Sequence, residues 1–224
     1  AYIAAMHAEG LEFLSRPVLA QVLSCPLDKL HREVLFPLGQ EAAATTTSSF
    51  IFTRHQRIAK TLVSVLAEEF GEDIDNLYVS LGKAGIDALS IGVLPENPKK
   101  WRFEISDHFL ARDRLGLALN IAQAVLDREP ANSITRTHVA NLYRKAKKPD
   151  KAIQVFKEMP TLNGGDRALY YEWGVTEGEC SHDVENVMLA AYSLTDQCSK
   201  RRIDNEQAQK SLTGLGVPFG ALYD

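Results

Sequence analysis

The stretch that decides the fold is NIAQAVLDREPANSITRTHVANLYRKAKKPDKAIQVFKEMP, residues 120–160. Its apolar residues recur with a helical period, and its turn residues divide it into the end of one helix and two further helices. Small and apolar residues also recur 34 positions apart, in the pairs Ala118 and Ala152, Ala122 and Phe156, and Val125 and Met159. A period of 34 predicts helix-turn-helix repeats that stack side by side. We therefore predict an all-α fold built from such repeats.

These repeats resemble the tetratricopeptide (TPR) family. Four residues of the unit that begins at Ser133 match the small and aromatic positions of its two helices: Ala140, Tyr143, Ala152 and Phe156. Four positions of the preceding unit, from residue 99, are in the same register: Phe109, Ala118, Ala122 and Pro130. The resemblance implies a TPR-like solenoid in which paired helices approach closely at the small residues. We predict helices at 101–112, 113–128, 133–145 and 150–159.

A more divergent third unit follows the breaker segment at 160–166. Its first helix is predicted around Tyr170 and Trp173, its second at 187–194, and a last helix and an irregular cap at 204–212 and 214–224. We assign residues 99–224 to TPR-like repeats and a C-terminal helix. By the 34-residue register, two sets of positions are equivalent on successive first helices: Phe103, Thr137 and Tyr171, and Asp107, Asn141 and Val175.

First-helix positions line the concave groove in TPR proteins. The resemblance therefore implies that a protein ligand binds at Asp107, Thr137, Asn141 and Tyr171. Tyr170 and Trp173 match core positions, so Tyr171 is the better surface candidate.

The first part of the chain predicts short helices followed by a strand. Helices are expected at 2–12, at 15–26 and at 27–37, the second capped by Ser15. The third carries Leu30, Val34 and Leu38 on one face. A small, polar segment then leads to the β-prone run SFIFT at 49–53. This order is typical of a winged-helix module, to which we assign residues 1–54; the alternative is a loop with an isolated strand.

The strand is followed by RHQRIA, residues 54–59, at the start of a periodic helix. One face of this helix carries five apolar residues: Ile58, Leu62, Val65, Leu66 and Phe70. We interpret 55–70 and 75–91 as a degenerate capping pair of helices within residues 55–98. A strand and an RHxxIA motif directly before 34-residue repeats resemble the end of the winged-helix domain in STAND NTPases, above all in bacterial antiphage members.

The STAND resemblance implies a function for the parent protein. Those proteins join an N-terminal effector and an ATPase to C-terminal repeats that recognise a viral protein. We therefore expect a phage structural or packaging protein as ligand, ATP or ADP as cofactor of the parent, and oligomerisation on activation in the bacterial cytoplasm. The resemblance also implies that His55 senses the nucleotide's phosphates; a locally capping or packing histidine is the alternative.

No GxxxxGK[ST] motif occurs in the sequence, so the loop that cradles phosphates is not part of it. We expect a piece of a longer protein that hydrolyses no nucleotide and holds no cofactor by itself.

Composition argues against several other classes. The chain has 224 residues, 45% of them apolar, and a net charge of −4, which disfavours a general nucleic-acid coat. No run of 18 apolar residues exists, so no membrane span is predicted. Its six histidines and three cysteines share no metal-ligand spacing. The odd number of cysteines predicts free thiols and a protein that resides in the reducing cytosol. Cys180 and His182 are the nearest approach to a nucleophile pair, and a surface thiol is the simpler interpretation.

The largest charge feature is a basic segment that contains Lys147 and Lys148. It is either a solvated turn that complements the helix dipole or a binding surface for an acidic partner or nucleic acid, and the lack of interleaved aromatic residues disfavours nucleic acid. Two other functions stay open, a general TPR adaptor and the sensor half of a STAND transcriptional regulator. The regulator needs a basic recognition helix. Residues 27–38 contain three basic side chains but also Asp28 and Glu33, so this segment is poorly suited to reading DNA. We predict protein recognition rather than catalysis.

Overall fold

The computed structural model describes residues 1–11, 13–40, 44–46, 49–93, 97–159 and 167–180. These residues are mostly helical, with one small antiparallel sheet, so the predicted all-α class holds at that level. The chain divides into two compact units, Ala1–Arg128 and Glu129–Asp224. The boundaries that we placed after residues 54 and 98 both fall inside the first unit and stay predictions.

The first unit begins with helices and strands in alternation. Its elements up to the third strand are α1 (Tyr2–Ala8), β1 (Leu14–Ser15), α2 (Arg16–Val22), α3 (Leu27–Lys29), a π-helical segment (Leu30–Leu35), α4 (Phe36–Gln40), β2 (Ala44–Thr46) and β3 (Phe50–Thr53). The strand predicted near residue 50 is β3, and it is the central strand of an antiparallel sheet of order β1-β3-β2. Leu14 pairs with Ile51, and Thr45 pairs with Phe52.

The helix predicted at 27–37 is present, and its predicted apolar face packs on the core. Leu30 is buried, and Val34 and Leu38 are half-buried against the same cluster. Leu35 is buried as well, because hydrogen bonds of the π-helical segment join residues five apart and bring Leu35 to the side of Leu30.

Three long helices form the rest of the first unit's core. Its remaining elements are α5 (Gln56–Glu68), α6 (Ile74–Ser90), a second π-helical segment (Lys100–Glu104), α7 (Ile105–Leu110) and α8 (Leu115–Leu126). Helix α6 packs against α2 and α8. Gly85 of α6 lies so close to the buried Trp101 that only a residue without a side chain fits. Tyr78 contacts Phe109 edge to face, and its hydroxyl donates to the Ala5 carbonyl at 2.8 Å.

Helix α5 packs mainly against α1, through a face that the sequence pattern did not indicate. The contact is made by Ala4, Ala8 and Ala59, with Val63 beside them. Of the predicted apolar stripe, Ile58 is 50% exposed, Leu62 40% and Phe70 73%. The helix predicted at 55–70 is present as Gln56–Glu68, and small residues allow α1 and α5 to approach closely.

The second unit contains α9 (Ser133–Lys145), α10 (Pro149–Lys157) and α11 (Arg167–Cys180). Each of the three packs against the other two. Asn132 caps α9, its Oδ1 accepting from the backbone N–H groups of Ile134 and Thr135 at 3.1 and 3.2 Å. Phe156 stacks on Trp173 with ring centroids 5.8 Å apart. Our predictions for 160–166, 187–194, 204–212, 214–224 and His182 lie outside the described residues.

Most positions of the 34-residue register are buried. One unit further back, the register aligns Ala84, Ala88 and Ile91 with Ala118, Ala122 and Val125, and of these Ile91 is 59% exposed. Buried are Ala84, Ala88, Ala118, Ala122, Val125, Ala152 and Phe156. Met159 is half-buried, just after the end of α10.

Candidate functional site

His55 lies between the sheet and α5, with its side chain exposed. It is the residue before the first turn of α5, with extended backbone (φ −142°, ψ 140°), and its ring makes no capping hydrogen bond. The capping alternative that we left open therefore does not apply in this conformation. The imidazole is exposed to solvent.

Thr53, buried at the end of β3, fixes the backbone of His55. Its hydroxyl donates to the His55 carbonyl at 3.4 Å and also contacts Nδ1 of His7 on α1. The next residue, Gln56, donates from Nε2 to the Ala8 carbonyl at 3.2 Å. Strand β3 and helix α1 together hold the backbone of the residue that the sequence singled out.

A polar cleft of about 480 Å³ opens beside α5, lined by its Lys60 and Glu68 and by Arg112 after α7. Ser64 also lines it, and its hydroxyl donates to Glu68 Oε1 at 3.0 Å, one turn along the exposed surface of α5. The lining mixes both signs of charge.

Glu9, directly after α1, forms ion pairs beside this cleft. Its carboxylate lies 3.7 Å from Nε of Arg112, 3.7 Å from Nη1 of Arg114 and 3.5 Å from Nε2 of His108. Arg114 also pairs with Asp75 of α6. Burial lowers the pKa of His108, and the positive charge of Arg112 lowers it further, while Glu9 acts in the opposite direction. The network joins α1, α6 and the turn after α7, which is a structural role.

The second unit presents a face built from α9 and α11. Thr137 and Asn141 lie half-buried on α9, and Tyr171 lies on α11 with 44% of its surface exposed. As expected, Tyr170 of α11 is buried while Tyr171 is not. Ile134, 64% exposed, lies three and seven residues before Thr137 and Asn141 and so shares their side of α9.

An ion pair ties the two helices of this face together. Arg144 Nη1 donates to Glu172 Oε2 at 2.9 Å and to Asn141 Oδ1 at 3.1 Å. Both charged side chains are partly buried, so solvent screens the pair less than it would on an open surface. The pair fixes the spacing of α9 and α11, and it engages the oxygen of Asn141, which leaves its amide N–H₂ group for a ligand.

Lys147 and Lys148 are exposed in the turn between α9 and α10. The backbone N–H of Lys148 bonds to the Tyr143 carbonyl at 2.9 Å, and that of Lys147 to the Arg144 carbonyl at 2.8 Å. Lys147 has φ 56°, a left-handed conformation in which glycine is usual. The turn is thus a Schellman helix end that carries two lysines into solvent.

Asp107 is exposed on α7 and belongs to the first unit, whereas the other candidates belong to the second. Within the second unit the fold brings Thr137, Asn141 and Tyr171 onto neighbouring helices. Sequence reasoning missed Ile134 and the pair Arg144–Glu172. The signals were present, since Ile134 is an apolar residue on the side of α9 opposite its buried face, and Arg144 lies one turn after Asn141.

Three further observations bear on the class of protein. The described part of the chain holds no cluster of three His, Cys, Asp or Glu side chains that could bind a metal ion. None of the helices in the described ranges has the length and hydropathy that crossing a bilayer requires. Comparison with protein-family models, curated proteins and solved structures gave no significant match.

Proposed function

We propose that the chain is the sensor part of a bacterial antiphage STAND NTPase. Residues 1–54 are its winged-helix module, and the later helices are TPR-like repeats that bind a phage structural or packaging protein. The parent binds ATP or ADP in the bacterial cytoplasm. Ligand binding shifts it from a closed monomer to an active oligomer, through tighter binding to the active state.

The arrangement of the sheet supports the winged-helix part of the proposal. The order helix, strand, two helical segments and two strands, with β3 between β1 and β2, is the one expected of a winged-helix module. The region from α3 to α4 occupies the place of a recognition helix. There Asp28 pairs with Arg32 at 3.6 Å, which offsets part of its positive charge and favours a role other than reading DNA.

The burial pattern supports TPR-like repeats in the second unit. Ala140 and Ala152 are fully buried where α9 meets α10, and Phe156 fills the space beside them and stacks on Trp173 of α11. Small residues where two helices approach and an aromatic residue in the adjacent groove are what the register predicts. The three helices α9, α10 and α11 follow one another in the order of one complete repeat and the first helix of the next.

The position of His55 supports a nucleotide-sensing role in the parent. Its ring is exposed and uncapped, so a phosphate brought by an ATPase domain can reach it. Ile58 and Leu62 are exposed beside it, near the start of α5. We therefore assign the exposed stripe of α5 to contact with that domain.

The single observation that carries protein recognition is the face of α9 and α11. Ile134 and Tyr171 are large and exposed, and they flank the polar side chains of Thr137 and Asn141. Aromatic side chains contribute much of the energy of protein interfaces. A rigid pair of helices joined by Arg144 and Glu172 presents them with little entropy left to lose on binding.

Affinity capture from phage-infected and uninfected bacterial lysates, with mass spectrometry of the bound proteins, tests the proposal. The bait is the full chain, beside a Tyr171→Ala variant and a Lys157→Ala control on the exposed side of α10. We expect one viral protein that appears only after infection. Its recovery should fall at least about tenfold with Tyr171→Ala and stay unchanged with Lys157→Ala.

Two results would contradict the proposal. Host proteins recovered equally from both lysates favour the general TPR adaptor. A viral protein that Tyr171→Ala retains as well as the control does places recognition on another surface.

A further inference from the structure

A second pocket, of about 350 Å³, lies in the first unit between α2, the π-helical segment Leu30–Leu35 and the end of α6. Its walls are mainly aliphatic, from Pro17, Leu27, Leu35 and Val93. Leu27 and Val93 are large apolar side chains that remain exposed at its mouth. The volume falls at the lower end of the range for small-ligand sites, about 300–1,000 Å³.

Among the described residues that line the pocket, Arg16 carries the one formal positive charge. Its backbone N–H donates to the Ser49 carbonyl at 3.0 Å, which fixes the residue against the start of β3. The guanidinium Nε is buried and has no hydrogen-bond partner. Among the described residues the lining also includes His31 and no carboxylate. A carboxylate ligand would give the charge of Arg16 a partner.

We propose that this pocket binds a carboxylate carried on a short aliphatic chain. The planar guanidinium of Arg16 matches a carboxylate with two parallel hydrogen bonds. The aliphatic walls take the chain that bears it, and a single positive charge balances a single negative one. A phosphate dianion fits less well, because it brings more charge into an apolar pocket than one guanidinium neutralises.

The helix that forms one wall also points to a ligand site. His31 and Leu35 both lie in the π-helical segment. Such single wide turns inside helices occur frequently at functional sites. The pocket uses neither the 34-residue register nor His55, so this inference stands or falls independently of the proposed function.

Titration of the full chain with sodium hexanoate, followed by ¹H–¹⁵N NMR, tests the site. We expect saturable shifts at the amides of Ser49, Leu35 and Val93, with a Kd of about millimolar order, as for a small ligand of this size. Hexanamide lacks the charge and acetate lacks the chain, and each should bind at least about tenfold more weakly.

Variants of Arg16 separate charge from geometry. Arg16→Gln should weaken hexanoate binding at least about tenfold, and Arg16→Lys should weaken it less, because lysine keeps the charge without the planar pair of donors. Arg54→Gln, which removes an exposed arginine outside the pocket, is the matched control and should leave the Kd unchanged. Unchanged shifts outside the pocket show that each variant is folded.

A pair of dipeptides distinguishes a peptide C-terminus from a free acid as the natural source. Acetyl-Ala-Leu with a free carboxylate should bind more tightly than hexanoate if the site takes peptide ends, and its C-terminal amide should not bind. Equal binding of hexanoate and hexanamide, an Arg16→Gln variant that binds like the control, or shifts confined to residues outside the pocket would each overturn the inference.

Discussion

Replacement of Gly85 by alanine measures how closely α6 packs on Trp101. A Cβ atom at position 85 would lie 2.3 Å from both Cδ2 and Cε3 of the indole and 2.6 Å from Cγ. Carbon atoms in ordinary contact lie about 3.5–4.0 Å apart, so the ring has to retreat by more than about 1 Å. Trp101 is only 1% exposed, so this retreat displaces its neighbours too.

Two opposing energies set the expected change. Alanine is favoured over glycine inside a helix by about 1 kcal/mol. Overpacking a core costs about 1–3 kcal/mol, and so short a contact belongs at the upper end. Complete loss of the tryptophan's packing sets a ceiling of about 3–5 kcal/mol. We therefore expect Gly85→Ala to lower the free energy of unfolding of the first unit by about 2 kcal/mol.

Urea unfolding followed by tryptophan fluorescence gives the measurement. The chain has two tryptophans, Trp101 in the first unit and Trp173 in the second, so a Trp173→Phe background restricts the signal to the first unit. Gly116→Ala is the matched control, because Gly116 lies in α8 and a Cβ there meets nothing within 4 Å. The control should raise the free energy of unfolding, by up to about 1 kcal/mol.

One result would refute the reasoning. If Gly85→Ala is as stable as Gly116→Ala, helix propensity alone governs both positions, and α6 does not need a glycine where it meets the indole.

Two further predictions concern a helix end and the half-buried His108. Lys147→Gly should raise the free energy of unfolding by about 1 kcal/mol, because φ is 56° at this residue and glycine adopts that conformation without strain. Lys148→Gly should lower it, because φ is −122° there and glycine only adds flexibility to the unfolded chain. Calorimetry measures both variants, and the opposite ranking would contradict the prediction. The pKa of His108 is lowered from 6.5 in the folded chain, so unfolding takes up a proton at slightly acid pH. The contribution of neutral His108 to the free energy of unfolding is complete above the unfolded pKa of 6.5. This contribution is lost as the pH falls through the lower pKa of the folded chain. Urea titrations across this window should show a slope that His108→Gln removes, and a slope that persists in the variant would assign it to another group.

Helix α9 shows what local sequence can predict. We predicted a helix at 133–145, and the structure has it at Ser133–Lys145. The start is encoded by Asn132, whose side chain caps the first turn, and the interior by apolar residues at a helical period. The 34-residue spacing likewise identified buried small residues, because a repeat places the same requirement on each copy.

Helix faces were harder to predict, because they depend on what packs against them. The apolar residues Ile58 and Leu62 share a face of α5, yet α1 meets the helix at Ala59, since both helices have small residues there. The π-helical segment buries Leu35 in addition to the predicted face of its helix, and no local pattern marks it. The Arg16 pocket joins residues as distant in the chain as Pro17 and Val93, which only the fold brings together.

The alanine contact between α1 and α5 has a consequence for local stability. Three buried methyl groups, of Ala4, Ala8 and Ala59, contribute roughly 2–3 kcal/mol to holding α5, at about 0.8 kcal/mol each. Helix α6, by contrast, buries Leu77 and Leu81 in the main core of the unit. Helix α5 is thus able to detach while the rest of the unit stays folded, and its amides exchange with solvent through that opening. A ligand bound by His55, at the start of α5, would hold the helix in place and slow this exchange.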